Sequence, residues 1–245
     1  MKRIFDVLFS LTILLLFMPI WFPVMVLIWL YDFHNPFYIA SRMAKNQGKF
    51  KMIKFRSMRI NADKSGVNST SGNDNRITPI GKYVRKFKLD EISQFFNVLL
   101  GDMSVVGPRP QVETDAKMYT SVENKMLEVR PGITDLASIV FADEGDILAG
   151  SDNPDLLYNQ IIRPFKSRLA LLTIEKSNLI LDIKIILLTA INIFNRKKSL
   201  QAIHTLLVNW NSDEILIEIV KREKKLYPFP PPGSDSIVSS YPMNS

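Results

Sequence analysis

Three groups of residues in this chain are suited to chemistry: the adjacent carboxylates Asp90-Glu91, the pair Lys54 and Arg56 around Phe55, and the proline-braced arginine of Gly107-Pro108-Arg109-Pro110. As helical neighbours, Asp90 and Glu91 would point about 100° apart, so they do not form a facing acid and base pair. At a helix start both would sit where free N–H groups and the dipole favour an anion. A carboxylate kept ionised there beside basic groups is a nucleophile toward phosphorus or a magnesium ligand, and helix capping is the other role open to it. Arg109 on a stiff backbone suits two-point phosphate recognition, or a structural ion pair. Lys54 and Arg56 alternate along an extended run and so share a face, turned toward a diphosphate, solvent or a membrane. Arg130-Pro131-Gly132 makes a second rigid loop. Asp182 interrupts an apolar run and is costly to bury alone, so its partner is Lys184, an arginine or a metal.

Composition removes many alternatives. The chain has 245 residues, 47% of them apolar, no cysteine and two histidines, His34 and His204. That is enough for a real core, but disulfide frameworks, zinc-thiolate sites, iron-sulfur clusters and thiol nucleophiles are excluded. No Walker loop, G-x-S-x-G elbow, H-E-x-x-H or G-x-G-x-x-G is present. Net charge is +7, yet residues 42–88 hold 13 Lys or Arg against Asp63 and Asp74 alone. Such a concentrated basic stretch implies an anionic partner: nucleic acid, an acidic membrane surface or a phosphorylated substrate.

The elements that must position these residues begin with 25 uncharged residues, Val7 to Tyr31. A straight helix of that length is about 37 Å long, enough to cross a hydrocarbon core of about 30 Å. Pro19 and Pro23 interrupt it, however, and predict a bend that leaves halves of about 18 to 20 Å, too short to cross alone. Lys2 and Arg3 before the segment and the basic residues after it would keep both ends on the cytoplasmic side. Composition therefore leaves a single span and a re-entrant hairpin both open. Met18-Pro19-Ile20-Trp21 offers no signal-peptide cleavage site, so the segment is expected to stay in the mature protein.

Beyond it, residues 36–57 read as short extended pieces around an Asn46-Gln47-Gly48 turn, and residues 61–76 as a polar loop. Thr78-Pro79 starts a helix, and Ile92, Phe95, Phe96, Leu99 and Leu100 keep helical spacing up to a stop at Gly101. Helices are expected at about 154–176 and 179–194, the latter interfacial and ending in Arg196-Lys197-Lys198, with one or two more over 199–225. The proline run at 230–232 opens a tail expected to be too polar to fold. The fold class is α+β, mainly helical. The expected division is a membrane segment at 1–35, a catalytic domain at 36–198, a helical extension at 199–227 and a disordered tail at 228–245.

Lys2-Arg3-Ile4-Phe5-Asp6, Lys54-Phe55-Arg56-Ser57-Met58, Leu89-Asp90-Glu91, Gln94 with Phe96-Asn97-Val98-Leu99, Gly101-Asp102-Met103-Ser104, Val106 to Pro110, Arg130 to Thr134 and Asp182-Ile183-Lys184 follow one another in an order that resembles the bacterial sugar transferases, the monotopic polyprenyl-phosphate phosphoglycosyl transferases. The resemblance covers about residues 1–195. It implies transfer of a sugar 1-phosphate from a UDP-sugar to undecaprenyl phosphate at the cytoplasmic face of the bacterial inner membrane, with release of UMP, in surface glycan assembly. It also implies a re-entrant N-terminal helix among membrane lipids. By position, Asp90 would form a phosphosugar-aspartate intermediate and Glu91 would assist as base or Mg2+ ligand. Arg109 would hold phosphate, with Lys54, Arg56 and Arg130 as further anion-binding residues and Asp182 as a second candidate metal ligand. No nucleic-acid partner is implied, and a homodimer is left open.

Three departures stand out. Met18-Pro19 replaces the family's frequent Ser-Pro at the bend, and Ser93 stands where proline is common. After Thr134 the usual Gly-Trp-Ala-Gln run becomes Asp135-Leu136-Ala137-Ser138, followed by Phe141-Ala142-Asp143-Glu144-Gly145, so the sugar is not set by resemblance. The non-enzymatic alternative is a membrane-anchored scaffold whose basic 42–88 stretch binds acidic lipid or nucleic acid.

Overall fold

The computed structural model describes residues 1–62 and 74–241; most of the expected polar loop at 61–76 falls outside them. Helices α1 (Lys2–Leu16) and α2 (Met18–Asp32) meet at 68°. Among the described residues no single helix is long and apolar enough to cross a membrane. The break falls at Phe17, just before the first predicted bend, because Pro19 lies in the first turn of α2, where its missing N–H costs nothing. The Trp21 indole N–H donates to the Leu14 carbonyl at 2.8 Å, supplying a donor across the break. Pro23 lies inside α2.

The start of α1 is fastened to the rest of the chain. Lys2 reaches the Asp182 carboxylate at 2.5 Å and the Val106 carbonyl at 3.1 Å, and Arg3 donates to the carbonyls of Val98 and Leu99. Asp6, buried, accepts from the Ser104 hydroxyl and from the Val105 N–H.

Strands β1 (Phe37–Met43) and β2 (Lys49–Phe55) form the predicted antiparallel hairpin, in register from Phe37 opposite Phe55 to Met43 opposite Lys49. Its turn uses Asn46 at φ 58°, a left-handed conformation that asparagine tolerates. Helix α3 (Pro79–Lys86) is capped by Thr78, whose hydroxyl accepts from the Gly81 N–H at 2.9 Å. Helix α4 (Gln94–Leu100) ends at Gly101 with φ +97°, as its position predicts. A second two-stranded sheet pairs β3 (Ser104–Val106) with β4 (Gly132–Thr134) in parallel.

Short helices α5 (Glu113–Ala116), α6 (Leu136–Val140), α7 (Glu144–Ile147) and α8 (Pro154–Leu157) lead to the long α9 (Arg163–Glu175), α10 (Leu179–Phe194) and α11 (Arg196–Asn209), then α12 (Glu214–Ile219). The main core is shared by α6, α9, α10, α11 and α12, with Leu136, Phe165, Leu169, Ile185, Ile203 and Leu207 almost fully buried. Each such side chain contributes about 1.5–3 kcal/mol by burial. Helix α10 turns Leu181, Ile185 and Leu188 into this core and leaves Ile180, Leu187, Ile193 and Phe194 exposed. The architecture is mainly helical α+β, as expected.

The helix expected at 154–176 is interrupted by a π-helical turn at Tyr158–Ile162. Pro164 has no N–H to give the Gln160 carbonyl, and that carbonyl instead accepts from the Phe229 N–H at 3.0 Å. Residues 228–241, part of a tail expected to be disordered, are thereby drawn onto the domain. Phe229 stacks on Phe165, Arg168 donates to the Pro230 carbonyl, Thr120 to the Pro232 carbonyl and Gln160 to the Val238 carbonyl, and Tyr241 donates to Asp115. Composition missed this because a proline-rich strand needs no secondary structure to dock, only acceptors facing donors and an aromatic anchor.

Candidate active site

Lys54 stands near the end of β2, and two side chains of the neighbouring segment hold that strand in place. The Asn97 amide on α4 behaves as an extra strand edge: its Oδ1 accepts from the Ile53 N–H at 2.8 Å and its Nδ2 donates to the Lys51 carbonyl at 2.8 Å. The Ser93 hydroxyl lies 3.1 Å from the Ile53 carbonyl and 3.0 Å from that of Asp90. The serine in the place of a proline thus ties the carboxylate-bearing turn to the strand beside Lys54.

Contrary to expectation, Asp90 and Glu91 do not open a long helix. They occupy a separate 3-10 turn, Leu89–Glu91, entered through Lys88 at φ 52°, and α4 begins only at Gln94. A single turn has little dipole, so the charges around the pair come from side chains.

The main such charge on Glu91 is Arg109, and on Asp90 it is Lys54. The two loops that hold Arg109, separate in sequence, are one unit in space: Gly107 N–H donates to the Thr134 carbonyl at 3.0 Å and Gly132 N–H to the Pro108 carbonyl at 2.8 Å. A Cβ on Gly132 would lie 2.1 Å from the Gly107 nitrogen, so this close approach requires glycine. The paired loops present Arg109, whose Nη2 donates to Glu91 Oε1 at 2.8 Å.

The electrostatics are those of a compact cluster. Burial pushes the Lys54 ammonium down to about 8, helped by the Arg109 charge and opposed by Asp90 and Glu91. Burial, then the Glu91 charge, raises the Asp90 carboxyl above its ordinary value, against Lys54, Arg109 and Arg85. For Glu91, burial acts upward but Arg109, Lys88 and Lys54 together outweigh it, so its carboxyl is held low. Arg109 is held firmly protonated by Glu91. Arg42 on β1 also acts on Lys54; nothing but its place in the basic stretch marked it in sequence.

The remaining candidates lie elsewhere. Arg56 follows the end of β2, but its guanidinium turns to Asp32 rather than joining Lys54. Arg130 is exposed and contributes its backbone carbonyl to the packing against Gly107. Asp182 meets Lys2 and feels Asp6, not the charges that surround Glu91, so the two carboxylates considered as joint metal ligands sit in different clusters. Asp182 thus serves to hold α1. Among the described residues no group of three or more Asp, Glu or His is placed to hold a metal. Asn97, noted in sequence only as part of a shared motif, and Asp32, not noted there, are positioning residues; an amide at mid-helix facing a strand is a signal visible only once the packing is known.

Residues 1–196 match the profile of the family described as bacterial sugar transferase, and the chain belongs to that family. It is 39% identical over 153 residues to the exopolysaccharide production protein ExoY of Rhizobium meliloti (strain 1021), a match covering 56% of this chain and 68% of that protein. It is 35% identical over 205 residues to the UDP-glucose:undecaprenyl-phosphate glucose-1-phosphate transferase of Klebsiella pneumoniae, covering 81% of this chain and 41% of the relative. A UDP-N-acetylgalactosamine-undecaprenyl-phosphate N-acetylgalactosaminephosphotransferase of Aeromonas hydrophila is 36% identical over 148 residues, covering 59% of this chain and 35% of the relative. The chain thus spans well under half the length of the last two.

Proposed function

We propose that this chain transfers a sugar 1-phosphate from a UDP-sugar to undecaprenyl phosphate through Asp90. The observation that carries the reading is the convergence of Asp90, Glu91, Lys54 and Arg109 in one cluster, in a family whose relatives bear undecaprenyl-phosphate sugar-phosphate transferase names.

A carboxylate oxygen of Asp90 attacks the phosphorus that bears the sugar. The bond from that phosphorus to the bridging oxygen breaks, and UMP leaves with the electron pair. An oxygen of undecaprenyl phosphate then attacks the same phosphorus, and the Asp90 carboxylate departs unchanged. Phosphoryl transfer of this kind depends on positioning and charge neutralisation. Arg109 supplies a planar donor fork for phosphate oxygens and Lys54 a point charge.

Magnesium takes one or two carboxylates together with substrate phosphate oxygens and water, not an all-protein cage. Asp90 and Glu91 fit that habit, with Glu91 as the ligand; when bound, the ion would offset charge on the diphosphate. Glu91 at present has Arg109 as its partner, a guanidinium that would also be in reach of the donor's phosphate.

The N-terminal helices are read as a re-entrant anchor at the cytoplasmic face of the inner membrane. Support comes from their 68° bend and from the attachment of both ends to the same domain, through Lys2, Arg3 and Asp6 at one end and Asp32 at the other. UMP release from a panel of UDP-sugars, with and without undecaprenyl phosphate, tests the activity. Acceptor-dependent release that needs Asp90 is the expected result; salt-sensitive binding of acidic lipid with no turnover would favour the scaffold.

A further inference from the structure

The contacts of residues 228–241 fall on two stretches of chain that are separate in sequence, and both stretches wall the small cavity of about 40 Å3 beside Arg109. We propose that residues 228–241 form a strap that sets the position of Arg109, with Gln160 as the positioning residue through which the strap acts. The effect on turnover rests on the transferase reading, which gives Arg109 its phosphate.

The first attachment is to the π-helical turn Tyr158–Ile162 and the helix that follows it. Gln160 is held twice: its carbonyl accepts from the Phe229 N–H at 3.0 Å, and its side-chain Nε2 donates to the Val238 carbonyl at 2.9 Å. Two distant points of the strap thus close on one residue. Arg168 on α9 donates to the Pro230 carbonyl at 2.9 Å and lies 4.8 Å over the Phe229 ring.

The second attachment is to the stretch 115–122. The Thr120 hydroxyl donates to the Pro232 carbonyl at 2.5 Å, and the Tyr241 hydroxyl donates to Asp115 at 2.6 Å. Gly233, at φ +83°, packs so closely that a Cβ there would lie 2.6 Å from a methyl of Val122. Asp115 and Tyr119 of this stretch line the cavity opposite nothing but the residues that also surround Arg109: Pro110, Gln111 and Tyr158 among them.

The route to Arg109 runs through Tyr158, which precedes Gln160 by two residues and sets its hydroxyl against the Gln111 side chain. Gln111 follows Arg109 by two residues, and its carbonyl accepts from the Met43 N–H at 2.9 Å at the end of β1. The Gly107–Gly132 pairing therefore fixes the loop before Arg109, while Tyr158 and Met43 fix it after. The π-helical turn is the weak member, because it holds one residue more than an α-helical turn and Pro164 brings no N–H to it. Without Phe229 and Val238, relaxation of that extra residue would rotate what precedes it by about 100° and carry Tyr158 away from Gln111.

The test uses the chain ending at Tyr227, the same protein supplied with a synthetic peptide of residues 228–241, and full-length Gln160→Met, which keeps the side-chain length and removes the donor. UMP release is measured for each with and without Arg109→Lys. Truncation should lower kcat/KM about tenfold, as a small displacement of a phosphate-holding group does, and the peptide should restore most of it. Arg109→Lys should cost less than about threefold after truncation, because two changes that act through one group do not add. Additive losses, or a folded truncated protein that the peptide does not rescue, overturn the proposal. Should the truncated chain not fold, the same coupling between Gln160→Met and Arg109→Lys decides, and additivity there overturns it. Hydrogen exchange separates this from failure of the transferase reading: losing the strap should speed exchange at the Met43 and Gly132 amides, which report on the loop carrying Arg109, even in a protein that releases no UMP. Faster exchange confined to 115–122 and 158–168 contradicts the strap's action on Arg109.

Discussion

The carboxylate of Asp32 and the guanidinium of Arg56 meet through two parallel hydrogen bonds of 2.5 and 2.6 Å, which fasten the end of the apolar helix α2 to the residue just past the strand that carries Lys54. Arg56 is thereby an anchor of the site, which leaves Lys54 and Arg109 as the residues proposed to hold phosphate. The opposite end of the segment is held by Lys2 on Asp182, so the two ends are tied to one body.

That relationship predicts topology. On this cysteine-free chain, single cysteines at position 1 and position 45 should both be shielded from an impermeant thiol reagent in intact cells, and both should react once the membrane is opened. Labelling of position 1 alone from outside would mean a single span.

Arg109→Lys keeps the charge and loses the planar fork. Turnover should fall by one to two orders of magnitude, about 1.5–3 kcal/mol of transition-state stabilisation. The measurement is kcat/KM for UMP release; turnover equal to that of the parent would make the Glu91 contact purely structural.

The pH profile follows from two shifts of opposite chemical sense. Asp90 must be ionised to attack, and its carboxyl is raised by burial and by Glu91, so activity should be lost as pH falls through a value higher than that of an ordinary aspartate. Lys54 must be charged to hold phosphate, and burial with Arg109 lowers it to about 8, so activity should also be lost as pH rises through that value. Lys54→Arg should move the alkaline limb upward by more than one unit in kcat/KM profiles, because a guanidinium stays charged there. An unmoved limb would assign it to another group.

Deleting the chain after Tyr227 removes Phe229 from Phe165 and leaves the Gln160 carbonyl without the donor that replaces Pro164. The loss of about 2–3 kcal/mol should lower Tm by roughly 4–12 °C in detergent. No change in Tm would mean that the segment contributes nothing to stability.

Much of this arrangement could be read from the residues. The hairpin followed from alternation around Asn46, the capped start at Thr78 and the stop at Gly101 from local chemistry, and the stiffness around Arg109 from its prolines. What escaped were consequences of contact. Two glycine loops become one parallel pair only because Gly107 and Gly132 touch, and no periodicity encodes that. Lys54 and Arg56 share a strand pattern, yet the strand stops at Phe55 and Asp32 lies nearer to one than to the other. Asp182 attracts attention as a lone charge in an apolar helix, but its partner is Lys2, 180 residues away in sequence. The docking of the tail depends on a carbonyl freed by Pro164, a vacancy visible only in three dimensions.

The central claim is that Asp90 carries the phosphosugar. With a radiolabelled UDP-sugar and no acceptor, the parent protein should release about one UMP per active site and retain a hydroxylamine-labile sugar phosphate, as an acyl phosphate would. Peptide mapping should place that label on Asp90, and Asp90→Asn should neither release UMP nor become labelled. Rapid turnover with no label on the protein, or equal labelling of Asp90→Asn, would contradict the account.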